Sequence, residues 1–75
     1  MAHNPSVSIA IELEREDDGR WLADVPALPG VVAYGDDREE ALRAVQALAL
    51  RVIADRLEQG EPVSEALLSA FHVAA

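Results

Sequence analysis

The chain has no cysteine and no lysine. The first absence removes disulfides and thiolate metal sites as ways of stapling a small fold. The second leaves six arginines to face fourteen Asp and Glu, a formal charge of −8 at pH 7. Such a surface repels phosphate backbones, so nucleic-acid binding by this chain alone is not expected. It favours solubility and association with basic partners, although an acidic coat that only keeps the protein soluble accounts for the same composition. Long apolar runs are missing too, and none approaches the roughly 20 residues of a membrane span. The start "MAHNPSVS" has neither the basic segment nor the apolar core of a signal peptide. The expectation is a soluble cytoplasmic protein with no membrane partner. At 75 residues it forms one domain, 1–75, with an ordered core of about 7–74. A chain this short buries only about 60% of its unfolded surface, so self-association as a homodimer or homotetramer, or a bound partner, is expected to add stability.

Two segments alternate with period two. In "VSIAIEL", 7–13, Val7, Ile9, Ile11 and Leu13 share one face, and in "RWLADV", 20–25, Trp21, Ala23 and Val25 oppose Leu22 and Asp24. Both read as half-buried strands. Parity decides the turn between them. A two-residue turn at Asp18-Gly19 would pair Leu13 with Asp24 and set the apolar faces on opposite sides. A three-residue loop, Asp17-Asp18-Gly19 with Gly19 left-handed, pairs Leu13 with Ala23 and Ile11 with Val25, which unites them. That register places Glu12 opposite Asp24 and Glu14 opposite Leu22. Like charges across a strand pair are unfavourable; either both are solvated and the cost is tolerated, or a basic partner covers this face. Glu12, Glu14, Leu22 and Asp24 are therefore the candidate partner-binding residues.

Val25 precedes Pro26 and is expected to be extended. "LPGV", 28–31, suits a type II turn, with Pro29 at its second position and Gly30 supplying a positive φ at its third. "VVAY", 31–34, then reads as a third antiparallel strand, released by Gly35. Val32 and Tyr34 share one of its faces, and an outward orientation beside Leu22 would make an apolar patch rimmed by acids, suited to a protein interface. Asp37 is a candidate N-cap with Glu40 in the capping-box position. A helix over about 38–59 follows, its stripe formed by Ala41, Leu42, Val45, Leu48, Ala49, Val52, Ile53 and Leu57, with Leu50 at the edge. Glu39 and Arg43 have the spacing of an i,i+4 pair. Gly60 suits a C-cap and Pro62 forbids continuation. The last stretch, "SEALLSAFHV", alternates and reads as a fourth strand, with a short helical turn at 64–68 as the competing reading. The predicted class is α+β, ordered β-β-β-α-β, an antiparallel sheet with one helix across a face.

No catalytic constellation emerges. His3 and His72 lie at opposite ends, without metal-ligand spacing. The serines have no nearby histidine, and Gly30, Gly35 and Gly60 are explained by turns and a cap. The acid pairs Asp17-Asp18 and Asp36-Asp37 offer oxygen ligands for a hard cation, yet a hairpin loop and a helix cap account for them. No enzyme, metal or cofactor is expected.

Taken together, an alternating strand, "DDGRWLADVPALPGV", "AYGDDREEAL" and a long helix ending in "LEQGEPV" resemble the HicB-like antitoxin family. The motif positions are Gly19 before the aromatic Trp21, Pro26, Pro29, Gly30, Gly35 with Asp36 and Asp37, and Glu39-Glu40-Ala41-Leu42, over roughly residues 8–63. The resemblance implies a partial ribonuclease H-like fold without nuclease activity. It also implies a role: neutralising a small basic HicA-type toxin, an mRNA interferase, by masking its active site. An acidic chain complements a surface built to bind RNA. The chain departs from the family pattern where Val31 replaces a frequent cysteine and in lacking a second proline after Pro62. Many members also carry a C-terminal DNA-binding segment. This chain stops at Ala75, resembling a short form, and repression of its own operon is not expected of it.

Overall fold

The computed structural model describes residues 8–69 and 71–74. Three strands, β1 (Glu12–Arg15), β2 (Trp21–Asp24) and β3 (Val32–Gly35), form an antiparallel sheet in the order β1-β2-β3. The long helix α1 (Arg38–Glu58) follows, and after it one helical turn, α2 (Glu65–Leu68). The α+β arrangement β-β-β-α expected from the sequence is present.

The β1–β2 hairpin has the register that parity requires: Leu13 pairs with Ala23, Glu12 with Asp24 and Glu14 with Leu22. Its loop is Asp17-Asp18-Gly19. The Gly19 N–H donates to the Glu16 carbonyl at 2.9 Å and the Glu16 N–H to the Arg20 carbonyl at 2.7 Å, with Gly19 at φ +91°. The strand expected over 7–13 is displaced: the ladder covers Glu12–Arg15, and Val7 lies outside the described residues. The expected Ile11–Val25 pair does not form. Hydrogen-bonded pairs alternate along an antiparallel ladder, so after Glu12–Asp24 the next position whose backbone would face β1 is Pro26, beyond the end of β2, and it has no N–H to donate. Ile9 and Ile11 instead pack, half-buried, against the core.

Two successive turns join β2 to β3. The Leu28 N–H donates to the Val25 carbonyl at 2.9 Å, then the Val31 N–H to the Leu28 carbonyl at 3.0 Å, with Gly30 at φ +87° as a type II turn demands. Pro26 and Pro29 stay exposed on this connection while Val25, Leu28 and Val31 turn into the core.

Asp37 caps α1, its Oδ1 accepting the Glu40 N–H at 2.8 Å. Glu40 reaches back to the Asp36 N–H at 3.2 Å, one residue before the cap. At the other end the Gly60 N–H bonds the Leu57 carbonyl and the Glu61 N–H the Arg56 carbonyl, the two bonds of a Schellman ending, with Gly60 at φ +74°. Ala41, Val45 and Ala49 are buried, and the sheet and its connections supply Ala23, Val25, Leu28 and Val31. Trp21 is half-buried against this cluster. Gly35 has a role beyond releasing the chain. A β-carbon there would lie 2.8 Å from Ala41 Cα and from the Glu40 carbonyl carbon, and closer still to Ala41 N. The first turn of α1 therefore rests on the bare backbone of β3.

Three expectations are corrected. Leu57, assigned to the buried stripe, is 52% exposed, because it lies about 120° round the helical wheel from the Ala41–Val45–Ala49 centre. Glu39 sits 3.8 Å from Arg38 rather than pairing with Arg43. The fourth strand is absent among the described residues. Residues 65–68 form α2, in which the Leu68 N–H bonds the Ser64 carbonyl and the Ser69 N–H the Glu65 carbonyl. The competing helical turn thus prevails: Glu65 and two leucines are better helix than strand formers, and Ser64 opens the turn. Phe71, His72 and Val73 are exposed and outside any strand.

Candidate protein-binding face

Alternation along the three strands sorts their side chains between the helix and the opposite face. The cross-strand row Leu13–Ala23–Ala33 faces α1. The rows Glu12–Asp24–Val32 and Glu14–Leu22–Tyr34 therefore share the outer face. All four candidate partner-binding residues come together there, Glu12 and Glu14 exposed, Leu22 and Asp24 half-buried. The open orientation of β3 is settled as outward, with Val32 and Tyr34 40% and 48% exposed. The result is an apolar strip of Leu22, Val32 and Tyr34 bordered on the β1 side by three carboxylates.

Arginine 20 is a member of this face that sequence reasoning did not single out. Its guanidinium carbon lies 4.7 Å from the centroid of the Tyr34 ring, within cation–π range. Asp18 aims it there: the Arg20 backbone N–H donates to Asp18 Oδ1 at 3.0 Å and its Nε–H to Asp18 Oδ2 at 2.9 Å. These two hydrogen bonds, the backbone one first, hold the Asp18 carboxyl below its ordinary value, and the same pairing raises the Arg20 guanidinium above its own. The signal in the sequence was Asp-Gly-Arg at the loop's end, since an acid two residues before an arginine in a tight loop favours a local side-chain clamp.

The motif residues do structural work around this face. Gly19 shapes the loop that carries Arg20, Pro26 ends the β1–β2 ladder, and Pro29 with Gly30 turns the chain back so that Val32 and Tyr34 fall beside Asp24 and Leu22. Gly35 and Asp37 anchor α1 across the opposite face. Among the described residues no group of three or more His, Cys, Asp or Glu is placed to hold a metal ion. His3 lies outside the described residues. No described helix is long and apolar enough to cross a membrane.

A second feature was not legible beforehand. Helix α1 lies over β3 and β2 rather than over β1. The inner side of the chain leading into β1 is left as one wall of an open apolar groove of about 460 Å³, lined by Ile9, Ile11, Val25, Ala49, Leu50 and Ile53 together with Gln46 and Leu67. Comparison with protein-family models, with curated proteins and with solved structures returns no match for this chain.

Proposed function

We propose that this chain is an antitoxin-like inhibitory binding protein of the HicB type, a single cytoplasmic domain acting without catalysis of its own. Its partner in this reading is a small basic HicA-type mRNA interferase, whose RNA-binding active site it masks. The single observation that supports the reading best is the outer sheet face, where Glu12, Glu14 and Asp24 border Leu22, Val32 and Tyr34. An apolar centre bordered by these three carboxylates, with the Arg20 cation over Tyr34 already paired to Asp18, suits specific binding to a basic surface, the border steering the encounter and the centre holding the complex. The formal charge of −8 adds long-range attraction of the same sign.

The test is inhibition of RNA cleavage by a purified HicA-type toxin. The intact chain is expected to silence it, with binding that weakens as salt is raised. Glu12→Lys combined with Asp24→Lys is expected to abolish inhibition while the circular dichroism spectrum is unchanged. Equal inhibition by that variant removes this face from the account. A second reading, a self-associating structural module without a toxin, is favoured by Leu50 and Leu57, 68% and 52% exposed and seven residues apart on one stripe of α1. It predicts a dimer or tetramer in sedimentation that persists at high salt and no effect on any toxin.

A further inference from the structure

Strand β1 has β2 on one side and no strand on the other among the described residues. The hydrogen bond from Glu16 N–H to the Arg20 carbonyl fixes which of its backbone groups are used. Bonded pairs alternate, so Glu14 and Glu12 turn their N–H and C=O groups to β2, while Ile11, Leu13 and Arg15 turn theirs to the open edge. A strand added at that edge would have side chains alternating between two different environments. On the inner side lies the apolar groove between Ile9 and Ile11 and the α1 residues Leu50 and Ile53. On the outer side stand the carboxylates of Glu12 and Glu14.

We propose that the open edge of β1 is a β-augmentation site for an extended segment of a basic partner in which apolar residues alternate with Lys or Arg. The apolar side chains enter the groove, the cations meet Glu12 and Glu14, and the backbone bonds Ile11, Leu13 and Arg15. The choice of a basic occupant follows from charge complementarity, because every charged side chain that β1 presents on the outer face is acidic. This inference deepens the docking role proposed above and rests on it.

The probe is a capped heptapeptide of alternating valine and lysine, compared with a peptide of the same composition in which the valines and lysines are segregated. Amide NMR and hydrogen exchange on the intact chain provide the readout. The alternating peptide is expected to slow exchange of the Ile11, Leu13 and Arg15 amides and to leave Glu12 and Glu14, already bonded to β2, little changed. Leu50→Lys places a cation in the groove at an exposed position and is expected to weaken binding about ten-fold, the equivalent of one lost apolar contact. Equal binding of the two peptides, or shifts at Leu22 and Tyr34 without protection of the three edge amides, overturns the edge site and leaves docking on the outer face standing. Failure of the intact chain to inhibit any basic toxin, with the edge protected by the peptide, removes the earlier reading instead. Protection of the same amides in the free protein that grows with its concentration means that a second copy holds the edge, and also overturns the proposal.

Discussion

Replacing Gly35 by alanine isolates a single physical effect. Gly35 does not have a positive φ, so alanine meets no backbone strain there, and in a strand it is the easier residue to order. What it lacks is room. The added carbon would stand 2.8 Å from Ala41 Cα and from the Glu40 carbonyl carbon, where carbons in contact sit about 3.5–4.0 Å apart. The obstruction is helix backbone, and that backbone is held by the Asp37 cap and by the burial of Ala41. Relief requires lifting the whole first turn of α1 from β3. Overpacking costs about 1–3 kcal/mol where side chains yield, and with backbone in the way the upper end, about 3 kcal/mol, is expected. For 75 residues the total stability is about 4–11 kcal/mol, so the loss is a large part of it. Urea unfolding followed by Trp21 fluorescence measures it. Gly30→Ala is the matched control: a β-carbon at Gly30 meets nothing within 4 Å, but φ is +87°, and a left-handed alanine costs about 1–2 kcal/mol. A Gly35→Ala loss below that of Gly30→Ala would refute the close approach of helix and strand as the reason for glycine.

Two further outcomes follow from the helix start and the hairpin loop. Asp37→Ala removes the acceptor of the Glu40 N–H and is expected to cost about 1 kcal/mol in the same urea experiment; no loss would show that Asp36 replaces the cap. The Asp18 carboxyl titrates below its ordinary 3.8, so its bond to Arg20 is complete above that pH and is lost as pH falls through the lower folded value. An NMR titration should show the Arg20 Nε–H resonance moving together with the Asp18 carboxyl, and Asp18→Asn should abolish that titration; a carboxyl titrating at or above 3.8 refutes the clamp.

Features that depend on local parity were legible in the sequence. Gly19 in a three-residue loop fixed the β1–β2 register, and with it the company of Glu12, Glu14, Leu22 and Asp24. The Pro29-Gly30 turn and the Asp37 cap rested on equally local chemistry. What was not legible depends on where α1 lies. Whether Val32 and Tyr34 faced outward needed the β2–β3 register, and the groove at Leu50 follows from α1 crossing β3 and β2 while leaving β1 uncovered; the exposure of Leu57, by contrast, was readable from its place on the wheel. The tail failed for another reason. Leu67, Ser69, Phe71 and Val73 alternate, but so short an alternation competes with local chemistry, and Ser64 with Glu65 offered the backbone a helical turn first.

The acids of β1 also bear on what the edge refuses. Two copies meeting β1 to β1 would bring Glu12 and Glu14 of each against those of the other, an opposition of like charges that disfavours edge pairing. The same carboxylates that attract a basic segment therefore guard the open edge against a second copy. Glu12→Gln with Glu14→Gln keeps size and hydrogen-bonding capacity and removes only the charge. The variant is expected to self-associate in sedimentation at concentrations where the intact chain does not through this edge, with new exchange protection at Ile11, Leu13 and Arg15. Raising salt on the intact chain should move it in the same direction, since screening weakens repulsion between exposed charges. A variant whose oligomeric state and edge protection match those of the intact chain at every concentration would mean that the charges guard nothing, and that the acidic border serves the partner alone.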